Sequence, residues 1–533
     1  MKRAFTPLAL FLLTPAAWAQ GSQELGWFGS DAGDVNFGNS TAMSANHLVV
    51  GDPGHTENGI RSGSVFLFDA ITMAQQFELL PNDGDAEDYF GSSVAIRNSI
   101  VLAGAPSNDD AGIRSGSAYT FDPQTGMQLH KLVAADASAN QYFGTSVAIA
   151  GSIGVVGAPS YDSIGSAYVF DLTTGAQIVK LQASDGEAQD QFGVAVAIDG
   201  NRVLVGAPAD DDNGLEAGAV YVFDATNGVE LAKWHASDGV ANARFGRAVA
   251  SRDGRALIGA PSMNGGQGAT YLFDNQAGVE IARLQPNSAY FPAGIGAAVA
   301  LHDGLAVIGA PHTETKYPVW WSGAIHLFEA ETGMWLEEVT PSFECLLSEG
   351  LFGHAVATHG RRSLIGAPGC IGLAYLFDNS LTGATRYCEG SSCPCANNDT
   401  SGGCMNSTSS GARIELAGST SLSADNLILT AESLPAHQFC LFYRGTLATN
   451  NAFGDGLRCA GGLTVRMNPP QDSGPAGTVQ VGPGLVAQAC QVGVGSCLQV
   501  GQSWHFQAWY RDPLGPCGTG FSTSDAVSIV LSP

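Results

Sequence analysis

Residues 192–208 read FGVAVAIDGNRVLVGAP, and two earlier stretches of the chain nearly repeat them. Residues 90–106 read FGSSVAIRNSIVLAGAP, and residues 143–159 read FGTSVAIAGSIGVVGAP. Seven copies begin with Phe-Gly or a degenerate equivalent and end with Gly-x-Pro, at steps of 49 to 57 residues. Regular spacing of this length indicates an array of identical supersecondary units. The copies begin at Phe37-Gly38, Phe90-Gly91, Phe143-Gly144, Phe192-Gly193, Phe245-Gly246, Ile295-Gly296 and Phe352-Gly353.

One copy has the pattern of a four-stranded antiparallel meander. Val194–Ile198 and Val203–Val205 are short apolar runs rich in β-branched residues, and the turn Asp199–Asn201 separates them. Ala219–Phe223 and Val229–Trp234 supply a third and a fourth strand. The first two runs lack polar alternation, so both faces of each strand must be covered by protein. Seven such units in a ring cover one another, which predicts a seven-bladed β-propeller over residues 20–384.

The ends of the repeat array indicate how the ring closes. The seventh copy has a third strand, Leu373–Phe377, but no fourth strand before the composition changes. The N-terminal segment Gln23–Phe28 precedes the first Phe-Gly as a fourth strand precedes each later one. We therefore expect this N-terminal strand to complete the last blade.

The repeat resembles the FG-GAP repeat of the integrin α-subunit propeller, which is named for its Phe-Gly and Gly-Ala-Pro. Secreted bacterial proteins with third strands like GSAYVFD, here Gly165–Asp171, are a nearer likeness. The resemblance covers residues 22–384 and implies a propeller used for cell adhesion or recognition. Integrin-type propellers bind calcium through Asp-x-Asp-x-Asp-Gly loops between the first two strands of a blade. The corresponding turns here, such as Asp199-Gly200 and Asp253-Gly254, are too short for such a loop.

The long loops, rather than the repeated strands, are the candidates for function. The loop that enters strand one and the loop between strands two and three share one face of a propeller, and here both are varied and acidic. Binding residues usually lie on variable loops over a rigid scaffold. Asp210, Asp211 and Asp212 could ligate calcium through their carboxylates, or could form a solvated turn with local hydrogen bonds.

The loop of the sixth copy, residues 312–323, is rich in aromatic residues. Tyr317, Trp320 and Trp321 could stack on a sugar or anchor a partner, or could pack on a neighbouring part of the protein. Cys345 and Cys370 lie in loops beside this copy, and we expect them to form a disulfide that holds the last blade.

Residues 1–19 have the pattern of a signal peptide, with Lys2 and Arg3, an apolar run and a small-x-small site at Ala17–Ala19. The mature chain would begin at Gln20, and we expect a secreted or extracellular protein, with the periplasm or cell surface as further locations. No later stretch holds eighteen consecutive apolar residues, so no membrane insertion is expected.

The C-terminal part differs in composition. Nine of the eleven cysteines follow residue 385, and in an exported chain they predict disulfides more readily than a zinc site. We interpret residues 385–410 as a Cys/Ser/Asn-rich linker and residues 411–533 as a small β-sandwich-like domain stapled by disulfides. Cys440 with Cys459 and Cys490 with Cys497 are plausible pairs, although spacing alone does not determine connectivity.

Composition and motifs narrow the function. The net charge of −26 argues against nucleic acid as a partner. We find no Gly-x-Ser-x-Gly elbow, His-Glu-x-x-His motif or phosphate loop in the sequence. The sequence predicts a non-enzymatic binding or adhesion protein that recognises a cell-surface or matrix protein or a polysaccharide. No cofactor is certain, and calcium is the one candidate. A secreted carbohydrate-active enzyme and a purely structural envelope component are the alternatives.

Overall fold

The computed structural model is an all-β protein that divides into two compact units, one of which is Trp27–Asp378. Asn379–Pro533 makes up most of the other unit. The structure describes residues 22–29, 36–97, 99–160, 163–286, 293–314, 322–341, 350–369, 371–379, 384–388, 393–399, 403–417, 425, 427–485, 498 and 502–531.

Residues 23–378 contain seven four-stranded antiparallel sheets, the blades of a propeller, which confirms the predicted fold class. One helical turn, α1 (Met263–Gly266), lies in blade 5. The strands in chain order are β1 (Gln23–Gly29); blade 1, β2 (Ser40–Met43), β3 (His47–Asp52), β4 (Ser64–Asp69), β5 (Gln75–Leu79); blade 2, β6 (Ser93–Arg97), β7 (Ile100–Ala105), β8 (Ser117–Phe121), β9 (Gln128–Leu132); blade 3, β10 (Ser146–Ala150), β11 (Ile153–Ala158), β12 (Ser166–Asp171), β13 (Ala176–Leu181); blade 4, β14 (Ala195–Asp199), β15 (Arg202–Ala207), β16 (Ala219–Asp224), β17 (Glu230–Trp234); blade 5, β18 (Ala248–Arg252), β19 (Arg255–Ala260), β20 (Ala269–Asp274), β21 (Val279–Leu284); blade 6, β22 (Ala298–His302), β23 (Leu305–Ala310), β24 (Ala324–Glu329), β25 (Trp335–Val339); and blade 7, β26 (Ala355–His359), β27 (Arg362–Ala367), β28 (Leu373–Asp378).

The apolar runs are continuous because each blade is covered on both faces by its neighbours. Along β15, Val203 and Val205 pack in one cluster with Val155 and other residues of blade 3. Leu204, which points to the opposite face, packs in another cluster with Ile258 of blade 5. Successive side chains of one strand therefore belong to two different inter-blade cores.

The glycine of Gly-x-Pro is required by a close approach between blades. A Cβ on Gly206 of blade 4 would collide with the carbonyl oxygen of Gly246, the glycine of the next Phe-Gly. Gly246 itself has φ of 89°, a conformation that a side chain disfavours. The same collision recurs at every junction around the ring, at Gly51, Gly104, Gly157, Gly206, Gly259, Gly309 and Gly366.

The ring closes between blades 7 and 1. The inner strands β2, β6, β10, β14, β18, β22 and β26 contact one another in a closed cycle. Gly366 of blade 7 lies against the carbonyl oxygen of Gly38 in blade 1, as at the other six junctions. Strand β1 takes the outer position of the seventh sheet and pairs with β28. The first and last segments of the array therefore share one blade.

The C-terminal unit contains two main sheets that enclose one core. The larger sheet has the order β29-β39-β38-β32-β35 with β36 beside β32, the smaller has β30-β31-β37, and β33 and β34 form a hairpin. Ile414 and Leu429 of the smaller sheet pack with Phe442, Phe506 and Val527 of the larger one, as in a β-sandwich. The strands are β29 (Ala384–Tyr387), β30 (Arg413–Ala417), β31 (Ile428–Glu432), β32 (Phe439–Gly445), β33 (Leu447–Phe453), β34 (Gly456–Gly461), β35 (Val465–Arg466), β36 (Gln471–Asp472), β37 (Val479–Val481), β38 (Ser503–Asp512) and β39 (Gly520–Val530).

Residues 385–410, which we interpreted as a linker, are built into this unit. β29 pairs with β39, so the sheet begins at Ala384. Three disulfides, Cys388–Cys459, Cys393–Cys404 and Cys395–Cys517, hold the described residues of this segment to the unit or to one another. The segment resembles a linker in composition because its own side chains supply little apolar area. Covalent cross-links fix it instead.

The predicted pair Cys440–Cys459 is wrong. Cys459 is bonded to Cys388, and Cys440 is a free cysteine buried in the core of the sandwich. Burial raises the pKa of the Cys440 thiol to about 12, so it remains protonated and unreactive. The other predicted pairs, Cys345 with Cys370 and Cys490 with Cys497, lie outside the described residues.

Candidate functional site

The two sets of long loops bond to each other on one face of the propeller, which we call the loop face. In blades 1 to 6, the loop between strands two and three contacts the loop that enters the next blade. The backbone N–H of Glu87 donates to the carbonyl oxygen of Ile60 at 2.9 Å. Asn242 donates to Leu215 in the same way at 2.7 Å. These hydrogen bonds hold the loops on a rigid scaffold.

Three aliphatic side chains project from equivalent positions of the loop face. Ile60, Ile113 and Leu215 are 69, 71 and 65% exposed, in blades 1, 2 and 4. Each lies in the loop between strands two and three, one residue before a charged side chain. Repeated apolar exposure at one register has no packing role within a blade, because the blade cores are complete without it. These side chains are therefore available to contact another molecule.

The charged residue after each aliphatic side chain differs between blades. Arg61 and Arg114 donate to the hydroxyls of Tyr89 and Tyr142, at 3.1 and 3.3 Å. Blade 4 reverses the charge, since Glu216 accepts two hydrogen bonds from Arg244 at 2.8 and 3.0 Å. The blades therefore present the same backbone with different charge patterns.

The acidic cluster at Asp210–Asp212 surrounds a lysine. The ammonium of Lys233 on β17 lies 2.9 Å from Asp210, 2.5 Å from Asp212 and 3.0 Å from Asp185. Asp210 is buried and also accepts a hydrogen bond from the hydroxyl of Tyr221 at 2.8 Å. Burial alone would lower the pKa of Lys233, but the carboxylates outweigh it and hold that pKa above its usual range.

Lys233 therefore occupies the place that the calcium hypothesis gives to a metal ion. The carboxylates that would ligate calcium already surround a cation, and Lys233 also lies over the ring of Tyr221 at 4.8 Å. Within the described residues, no group of three or more His, Cys, Asp and Glu side chains could hold a metal ion.

The same kind of ion pair, between an aspartate of an entering loop and a cation of the outer strand, recurs in three other blades. Lys131 of blade 2 contacts Asp83 and Asp110. Lys180 of blade 3 contacts Asp136 at 2.6 Å, and Arg283 of blade 5 contacts Asp238 at 2.6 Å. In each of these blades an aspartate comes from the loop that enters the blade, and the cation comes from its outer strand. Part of the acidity of the loop face is thus structural, because it ties each loop to the blade that follows.

We expect Lys233→Gln to destabilise the propeller by about 2 kcal/mol, because it leaves a buried carboxylate and its neighbours without a cation. Lys180→Gln is the matched control. It removes one exposed ion pair and should cost less than about 1 kcal/mol. Thermal unfolding followed by circular dichroism would compare the two variants. Calcium should leave the Tm of the wild type unchanged, and a calcium-dependent rise that Asp212→Asn abolishes would restore the calcium interpretation.

The aromatic residues Tyr317, Trp320 and Trp321 lie outside the described residues. Their proposed role in binding therefore stays a prediction. Residues 312–314 and 322–323 on either side of them are described.

A second polar cluster lies at the opposite face, where the tight turns are, and sequence reasoning missed it. A guanidinium nitrogen of Arg252 in blade 5 lies 3.2 Å from Nε2 of His302 in blade 6. The rings of His302 and His359 in blade 7 have centroids 4.4 Å apart. Burial lowers the pKa of both histidines, and Asp303 opposes that effect.

These residues could have been found from the repeat register. Arg252, His302 and His359 each end the first strand of a blade, and Arg97 of blade 2 does the same. Burial lowers the pKa of Arg97, and the nearby charge of Arg252 lowers it further. Because blades 2 and 5 are not neighbours, their first strands can place interacting charges only near the propeller axis.

Comparison with known protein families agrees with this geometry. The family model for the FG-GAP repeat matches five segments, residues 30–68, 73–121, 127–170, 176–223 and 229–273. This part of the chain belongs to the FG-GAP repeat family. No curated protein shows significant similarity to the chain.

The FG-GAP matches run out of phase with the blades by one strand. The match over residues 73–121 begins with β5, the outer strand of blade 1, and ends with β8, the third strand of blade 2. A sequence repeat with this offset links adjacent blades. It also explains why the last blade receives its outer strand from β1. Blades 6 and 7 lie beyond the matched segments but have the same strand order.

Proposed function

We propose that this FG-GAP propeller is a non-enzymatic extracellular binding protein that recognises a cell-surface or matrix protein or a polysaccharide through its loop face. The observation that carries the proposal is the set of exposed aliphatic side chains Ile60, Ile113 and Leu215 at one register of a rigid ring. Different charged neighbours surround them, which would give the surface specificity.

Location outside the cell is supported by cysteine usage. Three disulfides in the described residues are typical of an oxidising compartment. Residues 1–19, with the pattern of a signal peptide, agree with export. No helix in the described part of the chain is long and apolar enough to cross a membrane.

Binding without turnover is favoured by four loop-face carboxylates that are held in ion pairs. Asp83, Asp136, Asp185 and Asp238 are engaged with Lys or Arg side chains of the next blade. A general acid needs a pKa raised toward neutrality. The pKa values of Asp136 and Asp185 instead lie below the usual range, because hydrogen bonds from lysine and tyrosine outweigh burial. Burial raises the pKa of Asp88 and Asp190 on the same loops, where each accepts a hydrogen bond from a backbone N–H of its own loop.

The test compares the two faces of the propeller. Purified residues 20–533 would be immobilised and assayed against a cell-surface protein extract and a polysaccharide panel. The variant Ile60→Ser, Ile113→Ser, Leu215→Ser should lose about 90% of captured ligand, because central apolar contacts carry most of the binding energy. A Trp320→Ala, Trp321→Ala variant tests the aromatic loop separately.

The control is Ile71→Ser, Met127→Ser, which removes equally exposed side chains (76 and 66%) from the turns between strands three and four on the opposite face. It should capture as much ligand as the wild type. Equal loss in both variants, or no specific capture by the wild type, would contradict the proposal and favour a structural role.

A further inference from the structure

A cavity of about 350 Å³ lies in the C-terminal unit, on the face of the larger sheet that points away from the core. Its volume is within the range of small-molecule binding sites. Its lining includes Leu441, Phe453, Arg458, Thr464, Arg466 and Trp509.

Strand alternation places these residues together. On β32, Cys440 and Phe442 point into the sandwich core, so Leu441 and Tyr443 point to the opposite face. Trp509 lies beside Leu441 in the register of β32 with β38. Arg466 pairs with Tyr443 through β35, and Arg458 comes from the hairpin of β33 and β34. The hairpin and the sheet therefore form the walls.

The cavity is positively charged in a chain whose net charge is −26. Arg458 donates to the hydroxyl of Thr464 at 3.3 Å. Across the described ranges, neither Arg458 nor Arg466 forms an ion pair with a carboxylate, and the lining contains no acidic residue. Two guanidinium groups with free donors are suited to a carboxylate, which they bind through paired hydrogen bonds.

Aromatic side chains give the cavity an apolar side. Trp509 and Phe453 both pack against Phe521, with ring centroids 5.9 and 5.2 Å apart. Phe453 stays 37% exposed, so its ring remains accessible at the rim. An aromatic ring beside polar hydroxyl and guanidinium groups suits a ligand with an apolar ring face and charged edges.

We propose that this cavity binds a uronate residue of an acidic polysaccharide. The sugar ring lies against Trp509, and its carboxylate accepts hydrogen bonds from Arg458 and Arg466. Thr464, which is exposed, lies where its hydroxyl can contact those of the sugar. This site is separate from the loop face, and the proposal does not depend on the function proposed for the propeller.

The test is isothermal titration calorimetry of residues 20–533 with trigalacturonate. Its methyl ester is the comparison ligand, since it keeps the sugar and removes the charge. The wild type should bind the acid about tenfold or more tightly than the ester. Arg458→Gln, Arg466→Gln should weaken binding of the acid by a similar factor. Arg413→Gln, on the smaller sheet, is the control and should bind as the wild type does.

Thermal unfolding of each variant establishes that the C-terminal unit is folded. Arg466 is exposed, so Arg466→Gln alone keeps the test valid if the double variant does not fold. Equal affinity for acid and ester, unchanged affinity in both arginine variants, or no binding of trigalacturonate by the wild type would overturn the proposal. Binding of a fatty acid in place of trigalacturonate would overturn it as well.

Discussion

Replacing Gly206 by alanine is expected to destabilise the propeller by about 3 kcal/mol or more, the cost of forcing extra atoms into a packed core. The new Cβ would collide with the carbonyl oxygen of Gly246 and lie 3.0 Å from its carbonyl carbon. Both atoms belong to the backbone of the next blade, so no side-chain rotation can relieve the contact. The whole junction between blades 4 and 5 would have to open.

Gly254→Ala is the matched control for this prediction. Gly254 lies in the turn between the first two strands of blade 5, with φ of 76° and no atom within 4 Å of the position that a methyl group would take. Alanine there carries only the cost of a left-handed conformation, about 1–2 kcal/mol. Thermal unfolding by calorimetry should rank the wild type above Gly254→Ala and Gly254→Ala above Gly206→Ala. If Gly206→Ala were as stable as Gly254→Ala, the close approach between blades would not explain why glycine recurs at this position of the repeat.

The blade architecture could be predicted because its causes are local and are repeated. The turn at Asp199–Asn201 and the apolar run Val203–Val205 define a hairpin with two buried faces, and seven copies leave a ring as the arrangement that covers them. Phe192 illustrates the same regularity, since it packs against Tyr221 and Phe223 of its own blade, as its counterparts do elsewhere. Because the pattern repeats, the strands predicted for one blade also predict those of the other six.

The candidate site was harder to predict because its contacts join distant strands. Asp210 and Lys233 are 23 positions apart, and Asp185 is 48 positions from Lys233. These residues come together only when the strands of the blade have paired. The signal was nevertheless present. Lys131, Lys180 and Arg283 occupy the same repeat position as Lys233, and a cation that recurs within the repeat near acidic loops indicates an ion pair.

The C-terminal unit was the least predictable part, because nothing in it repeats. Cys459 lies in a strand next to the sheet that contains Cys440, but its Cα is 6.1 Å from that of Cys388. Disulfide pairing depends on such distances, which spacing does not contain. The cavity could not be predicted for the same reason, since Arg458, Arg466 and Trp509 come from three separate strands.

His326→Phe is expected to make the stability of the propeller less sensitive to acid. His326 occupies the third-strand position that holds Tyr in blades 2 to 5 and 7 and Phe66 in blade 1. Its side chain is fully buried, and neither ring nitrogen has a hydrogen-bond partner among the described residues. Burial lowers its pKa from 6.5 to about 4, so the folded protein keeps the imidazole neutral.

The sign of the pH dependence follows from that shift. Above pH 6.5 the histidine is neutral in both states and contributes no pH dependence. As the pH falls from 6.5 toward 4, the unfolded chain binds a proton that the folded protein resists, and stability decreases. The difference between the two pKa values corresponds to about 3 kcal/mol once the pH reaches the folded pKa.

The measurement is the difference in Tm between His326→Phe and the wild type at pH 7, 6, 5 and 4. That difference should grow in favour of the variant as the pH falls. A misfit of the phenylalanine ring would shift the stability of the variant equally at every pH, because Phe does not titrate. The slope against pH therefore reports the buried imidazole alone, and a difference that stays constant from pH 7 to pH 4 would show that His326 is not held neutral in the fold.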